Sequence, residues 1–304
     1  MKAVRMHEPS GISGLVYEEV PDAAPMACDV LVKVAACGIT HNEVDYPIWT
    51  CRAGHQRTTV IPGAEVSGVV VALGPGTAGL AAGDEVYGLT DQWRDGTAAQ
   101  YVAVEARNLA ARPRTVDHVH AAAVPRAGLT AWQALFEHGK LATGQTVVIH
   151  GAGGAVGSTA VQLARWAGAR VIGTGRGHSR SLVTDLGADA FVDLDAERLE
   201  DTAREVDVVF DAAGGQLLAQ SAGVVKPGGV LVSIAAFPPF GRNDATEIFF
   251  IQESSRAQLT ELARLVDEGH LRPQVGGVYP LARAADAYGA KAAGGIPGRI
   301  VLQP

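Results

Sequence analysis

The sequence predicts an α/β protein with two domains, one mostly β and one built on a doubly wound parallel sheet. Three observations predict this fold class. The chain has 304 residues, enough for two domains. Short Val-rich segments separated by Gly, Pro and Asp fill the first third of the chain. Beyond Pro113, apolar strands alternate with helices, which is typical of a parallel sheet covered on both faces.

The segments before residue 115 are predicted to be β-strands. They are rich in Val and lie between turn-forming residues, and no long helical periodicity interrupts them. The predicted strands cover residues 30–34, 66–71, 85–88 and 101–104. This arrangement indicates a compact, mostly antiparallel β unit.

The elements after residue 115 alternate. The Ala- and Leu-rich stretch 118–138 predicts one or two helices with a break at Pro125. Periodicity then predicts strands over 146–150, 170–174, 191–192, 208–210 and 230–234, and helices over 155–167, up to 186 and over 258–269. A last strand, 298–302, is expected to return to the first domain.

Composition and charge exclude several classes of function. The 25 Lys and Arg residues against 32 Asp and Glu residues give a net charge of −7, so no basic field recruits nucleic acid or an anionic membrane. No apolar run reaches the length of a membrane span, and the first residues lack a signal-peptide pattern. The three cysteines, Cys28, Cys37 and Cys51, form no CxxC motif. We therefore expect reduced thiols and a cytoplasmic location.

The strongest local motif is the glycine loop, His150-Gly151-Ala152-Gly153-Gly154-Ala155-Val156-Gly157. It lies where a predicted strand ends and a predicted helix begins. Glycines at such a turn allow a sharp bend, a close approach of backbone N–H groups to a pyrophosphate, and close packing of helix on strand. The helix N-terminus adds partial positive charge. This pattern predicts dinucleotide binding at Gly153, Gly154, Ala155 and Val156.

The end of the next strand indicates which dinucleotide is bound. An NAD site carries an acidic residue about 20 residues after the glycines. Here Arg176 follows Gly157 by 19 residues, and the first later carboxylate is Asp185. A guanidinium suits a 2′-phosphate. We therefore predict NADPH, bound by Thr174, Gly175, Arg176 and Arg180; the alternative is that both arginines are solvated loop charges.

Several motifs occur in an order and spacing that resemble the medium-chain dehydrogenase/reductase superfamily. Besides the glycine loop, they are Ala36-Cys37-Gly38-Ile39, the run from Ile61 to Gly68, Gly83-Asp84-Glu85-Val86-Tyr87-Gly88, the run from Gly128 to Leu135, Lys226-Pro227-Gly228-Gly229 and Gly298-Arg299-Ile300-Val301. The resemblance implies a GroES-like catalytic domain at residues 1–115 and 256–304 and a Rossmann NADP-binding domain at 116–255. It also implies an active cleft between the two and a homodimer.

The residues at the superfamily's zinc positions imply the zinc-free branch. Where zinc-dependent members have cysteine and histidine ligands, this chain has Ala36, Thr40 and Ala64, and the four-cysteine loop is absent. The side chains that remain, Cys37, His41, Cys51 and His55, match no common metal-site spacing. No metal is therefore expected, and Cys37 is predicted to be a packed strand-end residue.

The zinc-free branch contains quinone oxidoreductases and reductases of enones, enals and enoyl thioesters. The resemblance therefore implies hydride transfer from NADPH to an activated C=C bond or a quinone. The enolate oxygen formed from an enone needs a hydrogen-bond donor, and the α-carbon needs a proton. Two alternatives remain open at this stage: a one-electron quinone reductase and a non-catalytic NADPH-binding sensor.

The residues with candidate roles come from two parts of the chain. By resemblance, Asn42 and Tyr46 are the catalytic candidates, since a phenol stays protonated near neutral pH; His41 is another possible acid, and Tyr46 is alternatively a packed aromatic. Thr130 is expected at the nicotinamide or as a helix N-cap. Three strand-end residues complete the predicted cofactor contacts, namely Ala213, Ile234 and Phe250.

Overall fold

The computed structural model describes residues 1–40, 43–45, 49, 53–239 and 243–304. Its strands are β1 (Lys2–Met6), β2 (Leu15–Glu19), β3 (Asp29–Ile39), β4 (Glu65–Leu73), β5 (Glu85–Leu89), β6 (Tyr101–Glu105), β7 (Leu109–Ala111), β8 (Thr146–His150), β9 (Arg170–Gly175), β10 (Ala190–Asp193), β11 (Val206–Asp211), β12 (Val225–Ser233), β13 (Thr246–Phe249), β14 (Val275–Pro280) and β15 (Arg299–Gln303).

The α-helices are α1 (His118–Ala121), α2 (Pro125–Trp132), α3 (Ala155–Trp166), α4 (Arg180–Asp185), α5 (Leu199–Thr202), α6 (Gln216–Ser221), α7 (Arg256–Asp267) and α8 (Ala284–Ala292). Short 3-10 helices lie at Gly11–Gly14, Ala106–Asn108, Gly177–Ser179 and Leu281–Arg283, and a π-helical segment, Gln133–His138, follows α2 directly. No helix in the described ranges is both long enough and apolar enough to span a bilayer.

The chain divides into two compact units. Unit 1 comprises residues 1–126, 254–267 and 273–304, and unit 2 comprises residues 127–253 and 268–272. The domain limits inferred from the sequence, 115/116 and 255/256, remain a prediction about the organisation of the chain.

Unit 1 is built mostly on antiparallel strands around the long strand β3; the pair β14–β15 is parallel. The sheet order is β14-β15-β3-β4-β5-β7, and β6 also pairs with β3. The four strands predicted before residue 115 correspond to β3, β4, β5 and β6. The last strand, β15, pairs antiparallel with the end of β3, which confirms the predicted return of the chain. The buried Val, Ile and Leu side chains of these strands form the core of the unit.

Unit 2 contains a six-stranded parallel sheet in the order β10-β9-β8-β11-β12-β13. The chain moves outward from β8 to β10 and then returns to place β11 on the other side of β8. The strand order therefore reverses between β8 and β11, the point at which open α/β sheets bind ligands beyond their carboxyl ends. The predicted α/β fold class with a doubly wound sheet is confirmed.

Several elements differ from their predicted form. The helix predicted to end at residue 186 is a 3-10 turn followed by the six-residue α4. The predicted strand 230–234 begins earlier, because β12 includes Pro227 and Gly228 and is bulged against β11. Strands β1, β2, β7, β13 and β14 and helices α5, α6 and α8 were not predicted. Most are short or only half-buried, so their hydrophobic pattern is weak.

Candidate cofactor and active site

A row of buried polar side chains crosses the carboxyl edge of the parallel sheet. The register of the strands places Thr174, His150, Asp211 and Ser233 side by side, at the ends of β9, β8, β11 and β12. None of the four is exposed. Buried polar groups need hydrogen-bond partners, so each of these side chains fixes a neighbouring strand or loop.

His150 is the centre of this row. Its Nδ1 lies 2.8 Å from the Thr174 hydroxyl, and its Nε2 is hydrogen-bonded to the Ser221 hydroxyl. The Ser221 hydroxyl donates its one proton to the Leu217 carbonyl, so it accepts from Nε2–H, and Nδ1 accepts from Thr174. Burial lowers the pKa of the imidazole to about 4, against a smaller opposite effect of the Asp211 charge. His150 is therefore a neutral structural link between β8, β9 and α6.

Asp211 and Ser233 hold the loops that follow β11 and β12. The Asp211 carboxylate accepts from the backbone N–H groups of Ala213 (3.0 Å) and Gly214 (2.8 Å) and from the Ser233 hydroxyl (2.7 Å). The Ser233 oxygen in turn accepts from the N–H groups of Ala235 and Ala236, each at 3.0 Å. Asp211 is a site residue that was not predicted; the signal in the sequence is a carboxylate that ends a mostly apolar strand.

The glycine loop has the geometry of an anion-binding turn. Gly151 adopts a positive φ of 67°, and Gly154 precedes α3 without a side-chain cap, so the first N–H groups of the helix point outward. A Cβ on Gly153 would lie 2.5 Å from the Ser179 hydroxyl, and one on Gly157 would lie 2.2 Å from the Gly151 carbonyl. Glycine is therefore required where the loop approaches its neighbours.

The two predicted phosphate-binding arginines differ in their surroundings. Arg176 follows β9 directly and is exposed, and it forms no ion pair with any residue that the structure describes. Arg180 donates to Glu197 (2.6 Å) and to the Phe191 carbonyl (3.0 Å), and its guanidinium lies 5.0 Å from the centre of the Phe191 ring. Arg176 is thus the guanidinium available to an anion at this edge.

The other predicted cofactor residues lie at or near strand ends, except Thr130. Ala213 and Ile234 follow β11 and β12, and the N–H of Ile234 donates to the Asp211 carbonyl at 3.1 Å. Phe250 follows β13; its N–H donates to the Ser233 carbonyl at 3.3 Å, and its ring lies 4.5 Å from that of His138. Thr130 is buried in the interior of α2, which begins at Pro125, so the alternative role as an N-cap is wrong.

A second buried polar cluster lies in unit 1, next to the predicted catalytic loop. Asn42 and Tyr46 themselves lie outside the described residues, as does His41. Glu43 is described: its Oε1 accepts from the Tyr288 hydroxyl (2.5 Å) and from the Thr40 N–H (3.2 Å). Burial raises the pKa of the Glu43 carboxyl, which the charge of Arg126 and these hydrogen bonds partly offset.

The same cluster contains a buried ion pair. Arg299 Nε lies 2.9 Å from Glu65 Oε2, and both side chains are at most 3% exposed. The other carboxylate oxygen of Glu65 accepts from the Arg126 N–H at 2.9 Å, and Arg299 also reaches the Thr40 hydroxyl at 3.2 Å. These contacts fix the end of β3, from which the loop carrying Asn42 begins.

Cys37 is a packed side chain, as predicted. It is fully buried, its sulfur lies 3.0 Å from the Thr97 hydroxyl, and burial raises the pKa of its thiol. Within the described ranges, no three His, Cys, Asp or Glu side chains come together as a metal site.

Two protein-family models match parts of this chain. Residues 27–114 match the model of the alcohol dehydrogenase GroES-like domain, and residues 186–302 match the model of a zinc-binding dehydrogenase domain. A probable zinc-binding oxidoreductase of Arthroderma benhamiae is 33% identical, over 90% of this chain and 87% of its own. The chain belongs to the medium-chain dehydrogenase/reductase superfamily.

Other superfamily members support the same assignment. The NADPH-dependent alkenal/one oxidoreductase of Arabidopsis thaliana is 33% identical, over 90% of this chain and 72% of its own. The structure of a quinone oxidoreductase from Coxiella burnetii superposes with a TM-score of 0.92 at 24% identity, over 100% of this chain and 99% of its own, and supports the fold. A chloroplast envelope quinone oxidoreductase homolog of Arabidopsis thaliana is 28% identical, over 97% of this chain and 95% of its own. Together with the alkenal/one oxidoreductase, it places this protein among the oxidoreductases of the superfamily, in its quinone oxidoreductase and enoyl reductase-like branch.

Proposed function

We propose that this protein is an NADPH-dependent, zinc-independent reductase that delivers hydride to an activated C=C bond of an enone, enal or enoyl compound, or to a quinone. The cofactor is a nicotinamide dinucleotide, as in its named relatives. The observation that carries the choice of NADPH is Arg176, an exposed guanidinium without an ion-pair partner among the described residues, at the end of β9. The 2′-phosphate of NADPH is the proposed ion-pair partner of the Arg176 guanidinium.

The glycine loop fits the pyrophosphate of such a cofactor. The loop has no side chain at Gly153 or Gly154 to obstruct a phosphate, and α3 begins there with uncapped N–H groups. In the proposal, Gly153, Ala155 and Val156 donate backbone hydrogen bonds to the phosphates. Gly154, whose N–H donates to the Gly151 carbonyl at 2.9 Å, has no side chain to obstruct them. Thr174 and Gly175 end the strand beneath the adenosine, and Arg176 binds the 2′-phosphate. Arg180 stays tied to Glu197 and contributes only general positive charge.

The nicotinamide half is proposed to lie over the ends of β11, β12 and β13, beside Thr130, Ala213, Ile234 and Phe250. These residues are small or apolar, so a flat ring can approach the backbone without displacing a charged group. The Asp211–Ser233 hydrogen bonds hold the loops there in fixed conformations. When bound, the reduced nicotinamide supplies the hydride.

In the proposal, Asn42 and Tyr46 act on the substrate. The Tyr46 phenol donates a hydrogen bond to the carbonyl oxygen that gathers enolate charge, and the Asn42 amide orients the same oxygen. The α-carbon then takes a proton from Tyr46 or from solvent. The described residues around the loop support a fixed backbone, since Glu43 and Thr40 are both held by partly buried hydrogen bonds.

Zinc independence rests on side-chain chemistry. Ala36, Thr40 and Ala64 stand at the positions that carry ligands in zinc-dependent members, and neither a methyl group nor a threonine hydroxyl replaces the thiolate, imidazole or carboxylate ligands of zinc. Glu65 follows Ala64 and is engaged by Arg299 and the Arg126 N–H. An assay after prolonged chelation should therefore retain full activity.

We also propose a homodimer in a reducing compartment, the cytoplasm. Strand β13 is an edge strand of the parallel sheet. Phe237, shortly after β12, is 74% exposed, and Ile251, shortly after β13, is 73% exposed. An apolar sheet edge of this kind favours cover by a second copy. Cys28 and Cys37 are free thiols, as in a reducing compartment. Sedimentation analysis tests the dimer; a monomer at micromolar concentration would contradict it.

The test of the cofactor proposal is Arg176→Ala, measured by fluorescence titration with NADPH and with NADH. Loss of a charge-assisted pair at an exposed site should weaken NADPH binding about tenfold, and NADH binding should change less than about twofold. Arg165→Ala is the matched control, because Arg165 is an exposed arginine at the other end of α3. Equal weakening for both cofactors, or no difference between the two variants, would overturn the choice of NADPH.

A further inference from the structure

The buried side-chain amide of Gln133 hydrogen-bonds to the backbone of another segment, as a neighbouring β-strand would. Gln133 is 4% exposed; its Nε2 donates to the Glu253 carbonyl at 2.8 Å, and its Oε1 accepts from the Glu253 N–H at 3.0 Å. A carboxamide presents a donor and an acceptor side by side, as a peptide group does. Gln133 therefore clamps one residue of the chain through both of its backbone groups.

The clamped residue ends an irregular segment that follows β13. Residues 250–255 have no regular secondary structure, and Ile251 is largely exposed. At the start of the segment, the Phe250 N–H donates to the Ser233 carbonyl; three residues later, Gln133 holds Glu253. Gln133 also begins the π-helical segment Gln133–His138, and the ring of its last residue lies 4.5 Å from that of Phe250, tilted by 40°. Such π-helical turns occur often at functional sites.

We propose that Gln133 is a positioning residue for the nicotinamide half of the cofactor. It holds the segment from Phe250 to Glu253 at the carboxyl end of β13, so that Phe250 stays in place beside the ring. This inference rests on the proposed function, which places the nicotinamide at that edge. Gln133 acts through Glu253 and Phe250 and does not itself touch the reacting atoms.

Gln133→Glu gives the inference a pH signature. An ionised carboxylate accepts from the Glu253 N–H but turns its second oxygen against the Glu253 carbonyl, so two acceptors face each other. A protonated carboxyl restores the donor and therefore the clamp. Because burial raises the pKa of a carboxyl group, the restored form is populated as the pH falls towards 6. A purely steric defect would show no such recovery.

The chain offers a matched control in Gln162. Its Nε2 donates to the Arg272 carbonyl at 3.2 Å, its Oε1 accepts from the Arg272 N–H at 2.8 Å, and it is 5% exposed. It belongs to unit 2 as well, but it lies eight residues into α3, a helix that runs away from the carboxyl edge of the sheet. Gln162→Glu therefore damages the same kind of clamp without touching the segment after β13.

The experiment measures kcat for enone reduction and the Kd of NADPH at pH 8 and pH 6, each relative to wild type at the same pH. Gln133→Glu should lower kcat about tenfold at pH 8 and recover to within about twofold at pH 6. Its NADPH Kd should change less than about threefold, because the adenosine half binds elsewhere. Gln162→Glu should leave kcat within about twofold of wild type at both pH values, because its clamp holds Arg272 and not the segment after β13. A Gln133→Glu variant that behaves like Gln162→Glu would overturn the inference.

Hydrogen exchange of the wild-type protein tests the inference without any variant. NADPH binding should increase the protection of the amides of residues 250–253 and leave that of residues 268–272 unchanged. Equal change in both segments would overturn the role of Gln133 while leaving the proposed function intact. A wild-type protein that does not bind NADPH at all would overturn both.

Discussion

Replacing His150 should remove a pH-dependent part of the protein's stability. The imidazole has a pKa of about 4 in the folded chain, because it is buried, and about 6.5 when exposed. As the pH falls, the unfolded state takes up the proton first, so the folded state loses stability through the range from pH 6.5 to pH 4. Between pH 8 and pH 5 this loss amounts to about 2 kcal/mol, reaching about 3 kcal/mol below pH 4.

The variant His150→Gln removes the titration and keeps a donor towards Ser221. Its loss of the Thr174 hydrogen bond should cost about 1–2 kcal/mol at pH 8. Urea unfolding of the wild type and of the variant is measured at several pH values from 8 to 5. The contributions of the other titrating groups largely cancel in the difference between the two free energies of unfolding. That difference, wild type minus variant, should fall by about 2 kcal/mol. A difference that stays constant or grows would refute the assignment of a neutral buried imidazole.

Two further substitutions test the loop and the unit 1 cluster. Gly153→Ala places a methyl group against the Ser179 hydroxyl and should weaken NADPH binding at least about tenfold in a titration. The control is Gly289→Ala, which adds a methyl group in open space within α8 and should leave NADPH binding unchanged. Unchanged binding by Gly153→Ala would contradict the assignment of the glycine loop. Tyr288→Phe removes a donor from the half-buried Glu43 carboxyl and should lower the free energy of unfolding by about 1–3 kcal/mol in urea. A change below about 0.5 kcal/mol would show that the hydrogen bond is not formed.

Much of the fold follows from local sequence pattern. The apolar run 146–150 coincides with β8, and the glycine loop lies between β8 and α3 as predicted. A buried parallel strand is apolar on both faces, so its signal is strong even over five residues. Strand β1 places Lys2 and Arg5 among buried apolar residues, β2 is partly exposed and carries two glutamates, and β14 contains two glycines and a proline. None of these strands therefore has a continuous apolar run.

The contacts that hold the site are not predictable from neighbouring residues. Tyr288 and Glu43 are 245 positions apart, and Gln133 and Glu253 are 120 apart. No local pattern connects such residues, since only the folded strand order brings them together. The polar strand ends are an intermediate case: each can be seen in the sequence, but their row across the sheet depends on the register.

Arg176 and Arg180 also show that contacts cannot be predicted from neighbouring residues. In the sequence they are equivalent cations four positions apart. The structure separates them, because Glu197 and the Phe191 carbonyl engage only Arg180. Glu197, 17 positions after Arg180, therefore decides which of the two guanidinium groups is available to bind a phosphate.

The most direct test of the proposed function follows a deuterium label. Metal-depleted protein is given NADPH carrying deuterium at the transferable C4 position, together with an enone, and the product is analysed by NMR. The expected product is a saturated ketone with one deuterium on the β-carbon, formed as fast as before metal depletion. Deuterium on the carbonyl carbon of an alcohol product, or activity that returns only with added zinc, would contradict the proposed function.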